Sequence, residues 1–440
     1  MNWQALLSNQ RRGKKKKEHL VARSAFEQDY DRIIFSHPFR RLQDKTQVHP
    51  LPEHDFVHTR LTHSLEVSSV GRSLGKLAGE AILKRDPTLA KTYSSHDFGA
   101  IVAAAALTHD IGNPPFGHAG EEALSEFFLY GQGRRFEEKV SAVEWKDLTS
   151  FEGNAQGFRI LNKKRYQGLK LTYATLAAFT KYPRPSLVTK VDKNRVSQKK
   201  FGFFQTEKNT FKEIANATGL IQLNENVWCR HPLAFLVEAA DDICYNLIDL
   251  EDGCRLGLVS YADTVDLYAG ILKEEFDQKK LEQIDNIDER IGTLRALAVG
   301  KLIRSCNTVF LDHEQDLLTG DFDRSLTDVI PEASILEDVV SLSVEKIYRS
   351  RLVMETEAAG FEVLPGLLQS FTAGIESEKR KKHTVLLRLL PHDIKNIMEA
   401  KNTGVYEKLM SCIDFISGLT DTHAIALFRK IKGISHPNLK

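Results

Sequence analysis

The chain has 440 residues, 42% of them hydrophobic, enough for a large core, and its 60 Lys and Arg against 59 Asp and Glu leave no global field to draw it to a polyanion. No run approaches the roughly 18 uncharged apolar residues of a membrane span, and no apolar segment follows the basic N-terminus, so a cytoplasmic protein without a secretory signal is expected. Cys229, Cys244, Cys254, Cys306 and Cys412 form no close pair; this disfavours a disulfide framework or thiolate zinc, and any metal is expected to rest on His, Asp and Glu.

Residues 11–17 are a basic run, read as a solvated tail in preference to an anion-binding arm. Between Ser24 and Arg41, Phe26, Tyr30, Ile33 and Ile34 recur at helical spacing. His49 to Pro52 breaks the chain. A proline-free run from Leu61 to Ile82, ending before Asp86-Pro87, predicts a helix that carries His63. Gly99 to Asp110 has too few polar groups for a wet face and is expected to be a buried helix, stopped by Gly112, Pro114 and Pro115. A new helix should open near His118, with Glu121 and Glu122 in a first turn where carboxylates suit the dipole.

Residues 181–212 hold nine Lys and Arg against Asp192 and Glu207, with Pro183, Pro185 and Gly202, and read as a long basic loop with a short strand around Phe201 to Phe204. Helical periodicity resumes at Leu233 and persists to the end, with interruptions expected at Gly253, Pro331, Pro365 and Pro391. With no strand–helix alternation and no repeat, the fold class is all-α with at most a minor β-hairpin.

On a helical wheel from Leu233 to Leu250, Asp241, Asp242, Tyr245 and Asp249 fall within about 60° of Glu238, opposite an apolar face. A solvated face is the plain reading. Four carboxylates with no Lys or Arg on that face nevertheless repel one another, and a cation would compensate them. His109 and Asp110 are neighbours that can both reach one ion only where a helix ends, as Gly112 makes it do. Imidazoles and carboxylates together form mixed N/O ligation with positions open to water and a phosphate oxygen.

His63, then His109-Asp110, then Asp241 make a pattern that resembles the HD superfamily of metal-dependent phosphohydrolases. More narrowly, the chain resembles the deoxyguanosine triphosphate triphosphohydrolase (dGTPase) family. The strings that carry the likeness are Phe39 to Val48, Arg60 to Ser64, His109 to Glu121, Phe151 to Gln156, Leu171 to Leu176, Lys181 to Pro183, Glu238 to Ile243 and Gly418 to Asp421.

The resemblance implies an HD-domain helical fold with additional C-terminal helices. It divides the chain into a basic N-terminal segment (1–23), an HD core (24–260) containing the basic loop, and a helical region (261–440) packed on it. It also implies hydrolysis of a deoxynucleoside triphosphate (dNTP) to deoxynucleoside and inorganic triphosphate. One divalent ion, Mg, Mn, Fe or Ni, is implied on His63, His109, Asp110 and Asp241; the wheel alone permits Asp241 or Asp242, and the family's Tyr and Asp at i+4 and i+8 favour Asp241. The resemblance places the proton-transfer pair on His118 and Glu121. Phosphate contacts fall on Arg60, Lys181 and Lys200, with Asn154 and Tyr182 assisting; Gln47, Tyr245 and Asp249 hold the deoxyribose. A homo-oligomer, commonly a hexamer, and an effector nucleotide or single-stranded DNA are further implied partners. Asn113 stands where many relatives carry His, and Leu419 where Met is common. Two other functions fit parts of the pattern: an HD phosphohydrolase of dNMP or cyclic nucleotides, and a nucleic-acid-binding regulatory protein using the basic segments.

Overall fold

The computed structural model describes residues 1–13, 23–48, 57–163, 168–375 and 381–434. Lys14 to Lys17 of the basic run and the break at His49 to Pro52 lie outside them. The described chain is mostly helical, with one two-stranded antiparallel sheet, and none of its helices is long and apolar enough to cross a membrane.

Two hydrophobic cores organise the helices. The first is built on Arg60–Arg85, Ser95–Leu107, Pro232–Arg255 and Ile287–Asp312. The second joins Gly117–Leu129 to Arg351–Thr372, Val405–Ser417 and Asp421–Lys432. Each core draws residues from both the N-terminal and the C-terminal half. The chain crosses from one to the other between Ile111, buried in the first, and Phe116, buried in the second.

The His63 helix, Arg60–Arg85, starts at a Thr59–Thr62 capping box. It packs against Ser95–Leu107 unusually closely, because a Cβ at Gly75 would sit 2.8 Å from Phe98 O. That partner helix is buried along almost its whole circumference, as its composition requires.

Several expectations need correction. The helix bearing His118 opens at Gly117, which puts Glu121 in its second turn, where it bonds to His118 and to Gly153 N rather than facing the dipole. Phe201 to Phe204 forms no strand among the described residues, only a bridge from Pro185 to Phe203. Its rings are shared between the two cores: Phe203 enters the first and Phe201 and Phe204 the second. The hairpin lies instead at Gln222–Asn224 and Val227–Trp228, turning through Asn226 at φ 61°. The basic loop ends early, since a helix runs from Lys208 to Thr218. Gly253 and Pro365 do not interrupt their helices, Pro232–Arg255 and Arg351–Thr372.

Arg11 is no solvated side chain. It is ion-paired to fully buried Asp29 and donates to Lys170 O and Ala25 O, both at 2.6 Å. Asp29 also accepts the Thr172 backbone N–H at 2.9 Å. Removing one member of a buried pair strands the other charge, so Arg11→Ala should cost about 3–5 kcal/mol. The half-exposed Arg12–Glu213 pair at 3.3 Å contributes little, and Arg12→Ala should stay within about 1 kcal/mol; urea unfolding of both variants checks the contrast.

His58, just before the His63 helix, places Nδ1 2.8 Å from Asp252 and Nε2 3.3 Å from Glu66. Burial opposes its charge, but hydrogen bonding to the two carboxylates outweighs it and raises the pKa to about 10. The folded value lies above the unfolded one, so the stabilisation is complete below about pH 6.5 and lost as pH rises through about 10. The Tm gap between the parent and His58→Gln should therefore narrow from pH 6 to pH 10; a gap independent of pH would contradict this.

Candidate active site

Apart from His63, which is buried behind the wall, every residue expected at the site lines one cavity of about 530 Å³. At its floor, His63 Nε2 and His109 Nε2 each lie 3.3 Å from Asp241 Oδ1. His109 Nε2 is also 3.6 Å from Asp110 Oδ1, and the two imidazole rings meet edge to face with centroids 5.2 Å apart. Ligand atoms of His63, His109 and Asp110 fall within 4.8 Å of one another, a separation that one ion can bridge.

The donor chemistry fits a cation. His109 Nδ1 lies 2.7 Å from Ala106 O and donates to it, which leaves the lone pair on Nε2; that atom is buried and has no hydrogen-bond partner. Burial disfavours charge on His109, but Asp110 and Asp241 outweigh it and raise the pKa to about 9. The carboxylates thus demand positive charge at this point, from a proton or an ion. Burial would also raise the Asp241 pKa, yet Lys181 and His109 hold it well below the usual carboxylate range. Lys181 Nζ donates to Asp241 Oδ2 at 2.8 Å.

Asp110 is fixed through both oxygens: Arg60 Nη1 donates to Oδ2 and Asn113 Nδ2 to Oδ1, each at 2.6 Å. Asn113 therefore orients a candidate ligand. Gly112 cannot bear a side chain, because its Cβ would lie 2.1 Å from Gly153 O. The turn is pressed against the helix Gly153–Leu161, which presents Asn154.

Beyond the turn, Phe116 adopts φ 65°, a costly conformation for a side chain this large. Its N–H donates to Asp421 Oδ1 at 3.2 Å, and Asp421 Oδ2 accepts Thr46 N–H at 3.0 Å. Lys45 Nζ reaches Asn113 O at 2.5 Å and Ser417 O at 2.8 Å. The result seats His118, whose Nδ1 is 2.7 Å from Glu121 Oε2; Glu121 Oε1 accepts Gly153 N–H at 2.5 Å. The hydrogen bond to Glu121 raises the His118 pKa against the effect of burial.

Arg60, Lys181, Tyr182, Lys200 and Asn154 line the cavity together with His118, His109, Asp110 and Asp241. Lys200 Nζ is 3.5 Å from Glu152 Oε2, and Glu152 Oε1 accepts Asn154 Nδ2–H at 2.7 Å. Gln47, Tyr245 and Asp249 line the same cavity with Tyr348, whose hydroxyl donates to Asp249 Oδ2 at 2.7 Å. Burial raises the Asp249 pKa to about 6 despite that bond. Lys190, Lys193 and Lys199 of the basic loop are exposed.

The acidic face of Pro232–Arg255 is neither solvated nor matched by an ion alone. Its cations come from outside the helix: Arg230 for Glu238 and Lys181 for Asp241. Asp242 turns away and accepts Thr327 Oγ1–H at 2.7 Å. Sequence reading missed Glu152, Tyr348, Val353, Thr356 and Glu357 as lining residues. It also missed Lys45 and Asp421 as anchors, although both stand within the strings that carry the resemblance.

The opposite orientations of Asp241 and Asp242 generate a contrast. Asp241→Ala should lose divalent-cation affinity by more than the roughly 10–100-fold typical of outer-shell partners, with the fold retained. Asp242→Asn, which keeps the Thr327 bond, should bind as the parent does. Calorimetric titration with Mn²⁺ beside circular dichroism decides it, and equal loss in both variants would refute the assignment.

A family model described as HD domain matches residues 60–154, from Arg60 to Asn154. A deoxyguanosinetriphosphate triphosphohydrolase-like protein of Synechocystis sp. is 43% identical over 99% of this chain and 100% of its own length. One of Pseudomonas aeruginosa is 39% identical, with 100% of both chains covered. The deoxyguanosinetriphosphate triphosphohydrolase of Yersinia pseudotuberculosis is 30% identical over 92% of this chain and 93% of its own. Similarity that runs end to end and includes an HD domain at the cavity floor shows that the chain belongs to the deoxyguanosinetriphosphate triphosphohydrolase-like family of HD-domain proteins.

Proposed function

We propose that the chain hydrolyses deoxynucleoside triphosphates to deoxynucleoside and inorganic triphosphate by attack of water at the α-phosphorus. The observation that carries this reading is the assembly, in one cavity, of the His–Asp cluster with its unpartnered His109 Nε2, the His118–Glu121 pair, and the cations Arg60, Lys181 and Lys200. The full-length relatives named for that activity support it.

His63, His109, Asp110 and Asp241 would hold a divalent cation, of the Mg, Mn, Fe or Ni class, that supplies Lewis-acid neutralisation of a phosphoryl oxygen. Lys181, Lys200 and Arg60 offset the roughly four negative charges of a triphosphate. Arg60 does so while bonded to Asp110, so it links phosphate binding to the cluster. Glu121 holds the His118 ring through Nδ1 and favours its protonated form, leaving Nε2–H to face the phosphate and the departing 5′-oxygen. Overall, a water oxygen bonds to the α-phosphorus, the bond from that phosphorus to the 5′-oxygen breaks, and the 5′-oxygen takes up a proton. Asp249, oriented by Tyr348, and Gln47 would take the 3′-hydroxyl, and the Tyr245 ring would pack against the sugar and disfavour a 2′-hydroxyl.

Incubation with each dNTP and NTP in H₂¹⁸O, with several divalent metals, tests the reading. The expected result is inorganic triphosphate carrying one ¹⁸O and an unlabelled deoxynucleoside, seen by ³¹P NMR and mass spectrometry. Orthophosphate or pyrophosphate as the first product, or label in the nucleoside, would overturn it. For His118→Ala, metal binding should survive while turnover falls roughly 10²- to 10⁴-fold.

A further inference from the structure

Arg230 lies outside the cavity and belongs to none of the groups assigned above. Its side chain is fully buried, in the segment between the hairpin and the Asp241 helix. We propose that Arg230 is a positioning residue that sets Lys181 and Tyr182 for polyphosphate binding by locking their backbone to the helix that carries Asp241.

Three contacts carry the inference. Nη1 and Nη2 donate to the two oxygens of Glu238, at 2.6 and 3.1 Å. Nε donates to the Lys181 carbonyl oxygen at 2.7 Å. The guanidinium carbon sits 5.7 Å from the centroid of the Tyr182 ring and 5.1 Å from that of Phe235. Glu238 precedes Asp241 by three residues on the same helix, and the Lys181 side chain returns to Asp241 Oδ2 at 2.8 Å. Lys181 is thus tied to one helix at both ends, its carbonyl through Arg230 to Glu238 and its ammonium directly to Asp241.

The arrangement needs arginine. Five N–H groups in one rigid plane can serve a carboxylate with two and a carbonyl with a third, while the flat face meets a ring. A lysine ammonium keeps the charge but cannot span both acceptors and stack. Pro183 follows Tyr182 and offers no N–H, and the nearby backbone bonds are Thr180 N–H to Ala177 O at 3.2 Å, Arg184 N–H to Tyr182 O at 2.7 Å, Trp228 N–H to Pro183 O at 3.0 Å and Gly202 N–H to Arg184 O at 3.0 Å. None of these engages the Lys181 N–H or carbonyl, which leaves Arg230 Nε as the partner of that carbonyl.

This proposal rests on the reading of the cavity as a triphosphate site, and the test separates the two. Inorganic triphosphate is titrated calorimetrically, with Mn²⁺ present, into the parent, Arg230→Lys, Lys181→Met and the double variant; Mn²⁺ affinity and Tm are measured for each. The expected result is that Arg230→Lys binds Mn²⁺ as the parent does but binds triphosphate at least about tenfold more weakly, since a misplaced ion pair forfeits charge-assisted bonds. In the Lys181→Met background the same substitution should weaken triphosphate binding by much less, because the residue through which Arg230 acts is gone. A loss of equal size in both backgrounds would mark Arg230 as merely structural and overturn the proposal. So would undiminished triphosphate affinity in folded Arg230→Lys.

Should Arg230→Lys not fold, Glu238→Gln supplies the second variant. It frees one end of the same tether and should show the same selective loss. Parent protein that binds no triphosphate would defeat the functional reading itself, and this inference with it. Parent that binds triphosphate while the variants match it would defeat the Arg230 role alone.

Discussion

Asp241 is the constraint on which the rest of the site depends. A carboxylate in the middle of a buried helix is tolerable only if its charge is met, and here two imidazoles approach one oxygen to 3.3 Å while Lys181 donates to the other. Each of those partners arrives on a different piece of chain: the His63 helix, the end of the helix before Gly112, and the start of the basic loop. Satisfying one charge therefore pulls three remote segments to a single point. The further pairing of Glu238 with Arg230 extends the same logic one turn earlier along that helix.

The second organising feature is the crossing between cores. His109 and Asp110 lie in the turn just after Ser95–Leu107, a helix whose apolar surface belongs to one core, and His118 lies in the first turn of a helix rooted in the other. The His118–Glu121 pair and the His–Asp cluster thus pack in separate cores, joined by a turn with almost no freedom: two prolines, a Gly112 that admits no side chain, and a Phe116 held in a left-handed conformation. Phe201, Phe203 and Phe204 straddle the same seam, so the basic loop is also anchored in both cores. Distances between the two halves of the chemistry are set by packing rather than by hydrogen bonds alone.

Local chemistry was legible in the sequence wherever one segment carried it. The helix of His63, the buried Ala-rich helix and the acidic face of the Asp241 helix follow from periodicity and composition, although the Ala-rich helix ends at Leu107, short of the stop expected at Gly112. Residues that matter through long-range partners were not. Arg11 reads as part of a basic tail because nothing local announces Asp29, and Phe201 to Phe204 reads as a strand because nothing local says that its rings are divided between two cores. Tyr348, Val353, Thr356 and Glu357 enter the cavity from elements almost a hundred residues beyond the Asp241 helix, and no spacing rule connects them to it. The placement of Asp241 at the cluster and Asp242 against Thr327 likewise needed the actual rotation of the helix, which a wheel leaves open.

The hydrogen bond from Phe116 to Asp421 closes a loop of 305 residues. During synthesis the His118 end of the cavity consequently lacks this anchor until the segment around Asp421 has left the ribosome, whereas His63, His109 and Asp110 are close in sequence. Assembly of that end of the cavity is therefore a late event, which a chain cut before Asp421 could not reach.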